Sequence, residues 1–451
     1  MKTSSIKYNA STQKKGIRFD ASFHLSDGLV TKRLIESSPY PLKTIGDVSS
    51  RIFFGNRAKR IYVTKKENGI PFLSSSDILR SDLENVKLAS KKYMPVSDMM
   101  LEKGWTLISR SGTIGNCAFA NAKHAQKLAS EHVIRVVPNN ILRGGLVYAY
   151  LASKYGYSLL TQGTFGAVIQ HIEPDFVSSI PIPSFPEDFQ NKINDLVLES
   201  ARLREEATDA LDKAHKIIEK TFLSDEKISS PKVKISTILK SHNTRFEASY
   251  YTSRNRAIYD HITSNCEFST LSELTEDIFR PGIFKREYVK KGVTFLGGAD
   301  ILLSIPDSEK KLSFRQVDRL PELKVKKGWI LVTCGGTIGN CVLIDEQLEK
   351  CVVSQHVMRV VPKESALIGY LYAILSSKVG HELITMFTAG SVIPQIESHH
   401  LGLVPIPILE QSSMEYIDSL IETYTSKNEL SKKKESIAIS LVEQEIEKWN
   451  K

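Results

Sequence analysis

The sequence holds little that would mark a disulfide-built, metal-bound or membrane-spanning chain. Its 451 residues include five cysteines, Cys117, Cys266, Cys334, Cys341 and Cys351, and no two stand at C-x-x-C spacing. No histidine cluster sits at zinc-finger spacing, so reduced packing cysteines are expected rather than disulfides or structural zinc. No apolar run approaches the ~18–20 residues that a membrane span needs. The opening MKTSSIKYNASTQKKG is basic but has no apolar stretch behind it, unlike a secretory signal. The expected location is the cytoplasm. A G-x-x-x-x-G-K-S/T phosphate loop is absent, so no motor ATPase is expected. GGTIGN has the wrong spacing for a dinucleotide fingerprint.

What is present is basic charge and repetition. The formal net charge is +9 and the pI is near 9.0, which permits binding to a polyanion without establishing it. Hydrophobic residues make up 41% and charged residues 25%, as in ordinary globular chains. GWTLISRSGTIGNC starts at Gly104 and GWILVTCGGTIGNC at Gly328, with nine of fourteen positions identical at an offset of 224. The same offset links HVIRVVP at His132 to HVMRVVP at His356, GAVIQHIE at Gly166 to GSVIPQIE at Gly390, and IPIP at Ile180 to VPIP at Val404. Upstream, RFDASFH at Arg18 and RFEASYY at Arg245 differ by 227, but Ile78 and Ile301 by 223, so the second copy is four residues shorter between them. That inner stretch is also where the copies diverge most. So long a period is a domain duplication, not a solenoid of short repeats.

Within each copy, WTLISRS and HVIRVVP read as strands, being β-branched or aromatic and bounded by turn residues. GTIGN reads as a turn, since glycine accepts positive φ. LVYAYLASKYGYSLL (146–160) and LYAILSSKVGHELI (371–384) show helical spacing of apolar residues. The I/V-P-I-P pieces are extended, because proline lacks the N–H and clashes within a helix. Each copy then runs into a long proline-free stretch, 187–222 and 410–449. In the first, Ile193, Leu196, Ser200, Leu203, Ala207, Ala210, Ala214 and Ile217 alternate steps of three and four, a heptad seam. The second is interrupted at its centre by Lys427, Asn428 and Lys432 to Lys434. Each helix needs a partner face, and the simplest is the other copy, antiparallel because a whole domain lies between them. At ~1.5 Å per residue, such a helix is roughly 54 Å long.

This ordered series resembles the specificity subunit of Type I restriction–modification enzymes. It comprises RFDASFH or RFEASYY, GTIGN, GAVIQHIE or GSVIPQIE, an I/V-P-I-P exit and a coiled-coil helix, all twice, from Arg18 to Trp449. The resemblance implies an α+β chain with two related target recognition domains separated by a long antiparallel two-helix coiled coil, pseudo-twofold symmetric. The boundaries are 1–186 for the first domain and 187–222 for the first helix. The second domain is 223–409, with a linker at 223–244, and the second helix is 410–451. The resemblance also implies that each domain reads half of a bipartite, asymmetric DNA target. The helices fix the unread spacer and dock two methyltransferase subunits, and two restriction (motor-nuclease) subunits complete the complex. S-adenosylmethionine is then bound by the methyltransferase, ATP and magnesium by the restriction subunit, and no cofactor by this chain.

A chain that methylated DNA by itself would need an Asn/Asp-Pro-Pro-Tyr/Phe loop for a flipped base, and the nearest string is SSPYP at Ser37. No catalytic or metal-binding residue is assigned. His132 and His356 precede equivalent strands and read as packing or strand-edge histidines. Glu173 and Glu397 read as framework salt bridges or caps.

DNA contacts need cations and hydroxyls for phosphates and Arg, Asn or Gln for base edges. The divergent inner segments supply Arg51, Asn56, Arg57, Lys59 and Arg60 in the first copy and Arg280, Lys285, Arg286, Lys290 and Lys291 in the second. Around the GTIGN turns, Arg110, Ser111, Thr113 and Thr337 are further candidates, either as phosphate contacts at a nest of amides or as plain turn residues. Gln162, Thr164, Thr388 and Ser391 are loop candidates. The competing reading is a coiled-coil assembly scaffold with two protein-binding modules and no DNA contact.

Overall fold

A computed structural model describes residues 26–84, 86–94, 96, 98–164, 170–223, 233–240, 244–246, 250–251, 254–388 and 395–450. RFDASFH, part of RFEASYY and Ser391 lie outside them. The chain divides into two compact units, one running up to Glu205 and resuming at Leu430, the other Glu206–Glu429.

In the first unit, β1 (Leu42–Thr44) precedes a framework sheet. Its order is β2 (Ser49–Phe54), β9 (Val133–Pro138), β6 (Thr106–Ser109), β7 (Cys117–Phe119), antiparallel throughout. The inner segment folds on its own sheet, in the order β3 (Tyr62–Val63), β5 (Leu88–Ser90), β4 (Gly69–Leu73), β8 (Leu128–Ala129). Helix α1 (Asp27–Glu36) precedes the framework, α2 (Gly144–Ala152), α3 (Lys154–Gln162) and α4 (Pro174–Ser178) follow it, and the IPIP exit forms β10 (Pro181–Pro183), paired with β1. The core is aliphatic, with Ile108, Ile134, Val136, Leu146, Leu151 and Leu160 essentially inaccessible.

The 146–160 stretch is predicted as one helix and the structure breaks it in two at Ser153. There ψ swings to 160°, and the Ser153 Oγ accepts a hydrogen bond from the Gly156 amide, capping α3. Gly156 permits the fold-back, since a Cβ there would lie 2.2 Å from the Tyr150 carbonyl oxygen. Serine followed by glycine three residues on is a capping signal hidden by the continuous apolar spacing.

Helix α5 (Glu187–Phe222) is continuous, and its stretch up to Glu205 belongs to this unit together with the last part of α12 (Gln411–Glu447). The two run antiparallel. Ile193, Val197 and Ala201 pack with Ala438, Val442 and Ile446, and Phe185 before α5 lies 6.0 Å, ring to ring, from Trp449 after α12. The polar centre of α12 is accommodated by polar pairing. Ser200 and Ser431 exchange hydroxyl-to-carbonyl hydrogen bonds at 2.9 and 2.8 Å. Arg204 reaches Glu435 at 2.6 Å, and the Tyr148 hydroxyl of α2 donates to the same carboxylate. Small serines bring the backbones close, and the buried charges meet partners rather than solvent.

The second unit repeats this plan. It contains α6 (Ile235–Lys240), α7 (Arg254–Asn265) and β11 (Phe268–Thr270). Its framework sheet runs β12 (Thr275–Phe279), β18 (Val357–Pro362), β15 (Ile330–Thr333), β16 (Cys341–Leu343). Its inner segment keeps the pairing pattern of the first, with one long bulged strand in place of two short ones, so that Leu312 pairs with both Tyr288 and Val293 as Ala89 pairs with both Tyr62 and Ile70. The order is β14 (Lys311–Leu312), β13 (Tyr288–Leu296), β17 (Val352–Val353), with α8 (Phe314–Arg319) added. Helices α9 (Ile368–Ser376), α10 (Lys378–Met386) and α11 (Ser398–Gly402) lead to β19 (Pro405–Pro407), paired with β11. Within this unit Leu211, Ala214, Ile218 and Phe222 share a core with Ile417 and Ile421, and Lys427 pairs with Glu206.

One buried difference between the units yields a prediction. His124 of the first unit is enclosed, with Nε2 3.1 Å from the Ile78 carbonyl oxygen and Nδ1 2.8 Å from Asn121 Oδ1. Burial pushes its pKa down to about 4. The position 224 residues later is Leu348, in the same turn. Since the unfolded chain takes up this proton near pH 6.5 and the folded unit only near 4, stability falls as pH drops through that window. The loss is about 3 kcal/mol. Thermal melting from pH 7 to 4 should show this loss in wild type and a flatter profile in His124→Leu; equal slopes would refute it.

Candidate nucleic-acid interface

The inner segments carry the exposed cations. In the first unit the chain leaves β2 at Gly55 and enters β3 at Tyr62. Arg57 and Lys59 are exposed on this loop, and neither forms an ion pair with another described residue. Arg51, on β2, lies over the Phe53 ring at 3.7 Å and 3.9 Å from Asp98, with 59% of its side chain exposed. Asn56 donates to Asp98 at 3.1 Å. Arg60 is anchored, with its guanidinium 2.9 Å from Glu131 at the foot of β9. The second unit uses the same anchor, as Arg286 donates at 3.2 Å to Gln355, the residue 224 after Glu131. Lys285, Lys290 and Lys291 are exposed, again without an ion pair to a described residue. Each loop is thus pinned by one arginine and presents other cations outward.

These cations are felt at the framework. Burial holds His132 below the ordinary imidazole value, with Arg60, Arg110 and Arg57 pushing the same way and Glu131 opposing them. His132 Nδ1 lies 2.7 Å from Ser111 Oγ. A Ser–His–Glu relay is not the explanation. The equivalents in the second unit are Gly335, His356 and Gln355, and Ser111 is buried.

The GTIGN turns hold their glycines at positive φ, 78° and 83° at Gly112 and Gly115, 78° and 87° at Gly336 and Gly339. Thr113 and Thr337 are exposed at their tips. The Gly115 and Gly339 amides are spent inside the turns, on the Ser109 and Thr333 carbonyls at 2.9 Å, so they are not available to a phosphate. Thr164 and Thr388 are half-buried, and Thr388 Oγ1 donates to the Thr385 carbonyl at 2.8 Å.

Several candidates are removed by burial. Ser111 and Gln162 are enclosed, the latter against Gly28 of α1. Arg110, expected beside the turn as a reader, is 6% exposed. Its Nε donates to the Ile172 carbonyl at 3.1 Å, its Nη2 pairs with Glu173, and its guanidinium lies 4.3 Å from the Phe54 ring centre. The second unit builds the same ion pair from another strand. Glu397, the counterpart of Glu173, is met at 2.8 Å by Arg280, which follows β12 as Phe54 ends β2. Cys334 stands where Arg110 would be. Arg–Phe in one unit has become Cys–Arg in the other, with the guanidinium retained opposite the carboxylate. Arg280 is therefore framework too, and Glu173 and Glu397 are salt-bridge residues.

Two further residues escape a reading by pattern. Arg135 and Arg359, the charged members of HVIRVVP and HVMRVVP, are completely buried. Arg359 Nη1 donates to the Ser354 and Val357 carbonyls at 2.9 and 2.6 Å, and Nη2 to Leu323 at 3.2 Å and to Val353. Arg135 does the same with Ser130, Val133, Met99 and Ala129. Each fastens the framework sheet to the sheet of its inner segment. Burial lowers both to about 10, so both are charged at neutral pH. The signal in the sequence is one arginine inside an otherwise apolar strand, at the same place in both copies.

Among the described residues no His, Cys, Asp or Glu side chains gather in a group able to hold a metal ion, and no helix is long and apolar enough to cross a membrane. Residues 263–439 match the family profile of the Type I restriction modification DNA specificity domain. The repeat offset of 224 carries the matched motifs back onto the first unit. No curated protein matches the chain. Among solved structures the chain is similar to a Type I restriction–modification S subunit from M. genitalium, at 14% identity and TM-score 0.32, covering 91% of this chain and 96% of that one. It is also similar to an HsdS subunit from Thermoanaerobacter tengcongensis, at 13% identity and TM-score 0.28, covering 91% and 97%.

Proposed function

We propose that this chain is a member of the Type I restriction–modification DNA specificity family, whose domain profile matches residues 263–439, and that each unit reads one half of a split, asymmetric DNA target through its inner segment. The chain is a non-catalytic specificity subunit that assembles with the other subunits of its system. In that system the cofactors sit on the partner subunits. We assign S-adenosylmethionine to two methyltransferase subunits, and ATP and magnesium to two restriction subunits.

One observation carries the two-reader proposal. The framework sheets, their Arg–Glu pairs, their buried arginines and the pairing pattern of the inner sheets are common to both units, while the inner segments differ in length and in the placement of exposed cations. A common frame with different reading edges suits two unlike half-sites, because base recognition depends on the side chains offered to the groove. Arg57, Lys59 and Thr113 are the phosphate contacts of the first unit, and Lys285, Lys290, Lys291 and Thr337 those of the second.

The test is salt dependence. Replacing Arg57 and Lys59 together by alanine should lower the log–log slope of duplex binding by about two, since each lost phosphate contact removes roughly one. Binding is measured with the assembled methyltransferase complex. An unchanged slope would place this loop away from DNA, as the scaffold reading requires.

A further inference from the structure

The loop joining β12 to β13 in the second unit, Pro281 to Glu287, offers an isoleucine to solvent. Ile283 is 94% exposed, the highest value among the large apolar side chains of the described residues. Its neighbours are held. Pro281 is buried. Phe284 turns inward, with its ring 6.2 Å from that of Phe295 on β13. Gln316 of α8 clamps the loop from both sides, donating to the Lys285 carbonyl at 2.7 Å and accepting from the Glu287 amide at 3.1 Å. Arg286 is tied to Gln355. Ile283 is thus displayed by an anchored loop.

Its surroundings narrow the occupant. Lys285, Lys290 and Lys291 are exposed nearby in the chain and form no ion pair with a described residue, against one exposed carboxylate, Glu287, so the loop favours an anionic surface. At Gly282 a Cβ would meet nothing within 4 Å, so the glycine serves no internal packing and leaves room for close approach from outside. An exposed apolar tip gains nothing from phosphates. In a cationic loop facing a duplex it has one apolar target, the bases. The corresponding loop of the first unit, Gly55 to Ile61, has one large apolar residue, Ile61, and it is half-buried.

We propose that Ile283 is a specificity-determining residue that makes an apolar contact with a base of the half-site read by the second unit. The proposal rests on the reading that the inner segments face DNA. It separates two kinds of side chain on one loop, cations that set affinity and an isoleucine that sets sequence.

The experiment uses the assembled methyltransferase complex, with the recognition sequence read from methylated adenines in DNA exposed to it. Ile283→Ala should leave the melting temperature and the salt slope unchanged, since no packing and no charge is lost. It should reduce discrimination at one base pair of one half-site about fivefold to tenfold, and Ile283→Leu should restore most of it. Replacing thymine by deoxyuridine at that position should cost wild type as much as the alanine substitution if the contact is a thymine methyl. If deoxyuridine is tolerated while discrimination is lost in the variant, the contact is with a base step. Lys290→Ala with Lys291→Ala should do the reverse, lowering the slope with the sequence preserved. An unchanged sequence in Ile283→Ala, with a reduced slope in the lysine variant, would overturn this inference and leave the DNA-facing loop standing. If neither variant changes anything, both are overturned.

Discussion

Replacing Arg359 by methionine is expected to lower the stability of the second unit by about 3–5 kcal/mol, a drop in its melting transition of roughly 6–20 °C. Methionine fills much the same volume, so packing is nearly kept. What is lost is the donor set. Four buried carbonyls, those of Ser354, Val357, Leu323 and Val353, are left without the guanidinium that binds them. Lysine is expected to recover only part, because one ammonium has a single centre and the carbonyls are gathered by two separated nitrogens. The loss should reach recognition, since Leu323 and Val353 belong to the inner segment and its sheet while Val357 begins the framework strand β18. Calorimetry of Arg359→Met and Arg135→Met should show each lowering its own transition. A shift below about 2 °C would mean that water replaces the guanidinium.

Exchanging residues 18–184 for the corresponding segment of a relative with a different target is expected to change one half of the recognition sequence completely and leave the other untouched. The long helices α5 and α12 are retained in such a chimera, so the number of unread base pairs should also stay. Mapping methylated adenines after expression with the methyltransferase subunits gives the answer directly. If both halves change, or neither, the assignment of one half-site to each unit fails.

The strands and turns follow from local chemistry, and the sequence shows them plainly. Thr106–Ser109 and Val133–Pro138 are β-branched and bounded by turn residues, and the GTIGN glycines sit where φ is positive. The long helices are equally visible, because a heptad seam without proline has few alternatives. What stays hidden depends on neighbours distant in sequence. Ser153 breaks a helix only because Gly156 lets α3 press against the Tyr150 carbonyl. Arg110 looks like a reader because it flanks an exposed turn, and its burial becomes evident only when Glu173, sixty-three residues on, closes over it. Isolated Lys and Arg on the inner loops are visible in sequence as charge, but which are anchors is decided by Glu131 and Gln355 at the foot of another strand.

The exchanged ion pair constrains how such chains can recombine. A chimera of the two halves joined anywhere between the end of the first framework strand and the GTIGN turn would splice them. A hybrid taking Arg280 from one half and Arg110 from the other would set two guanidiniums before a single carboxylate. The reciprocal product, with Phe54 and Cys334, would leave Glu173 or Glu397 facing none. Both are penalised by uncompensated charge at a partly buried site. A segment exchanged between the halves is therefore expected to keep its charges balanced only when the interval from Phe54 to Arg110 moves as one block, which carries the inner segment with it. The ion pair thus sets the ends of the interval that a charge-balanced exchange must span.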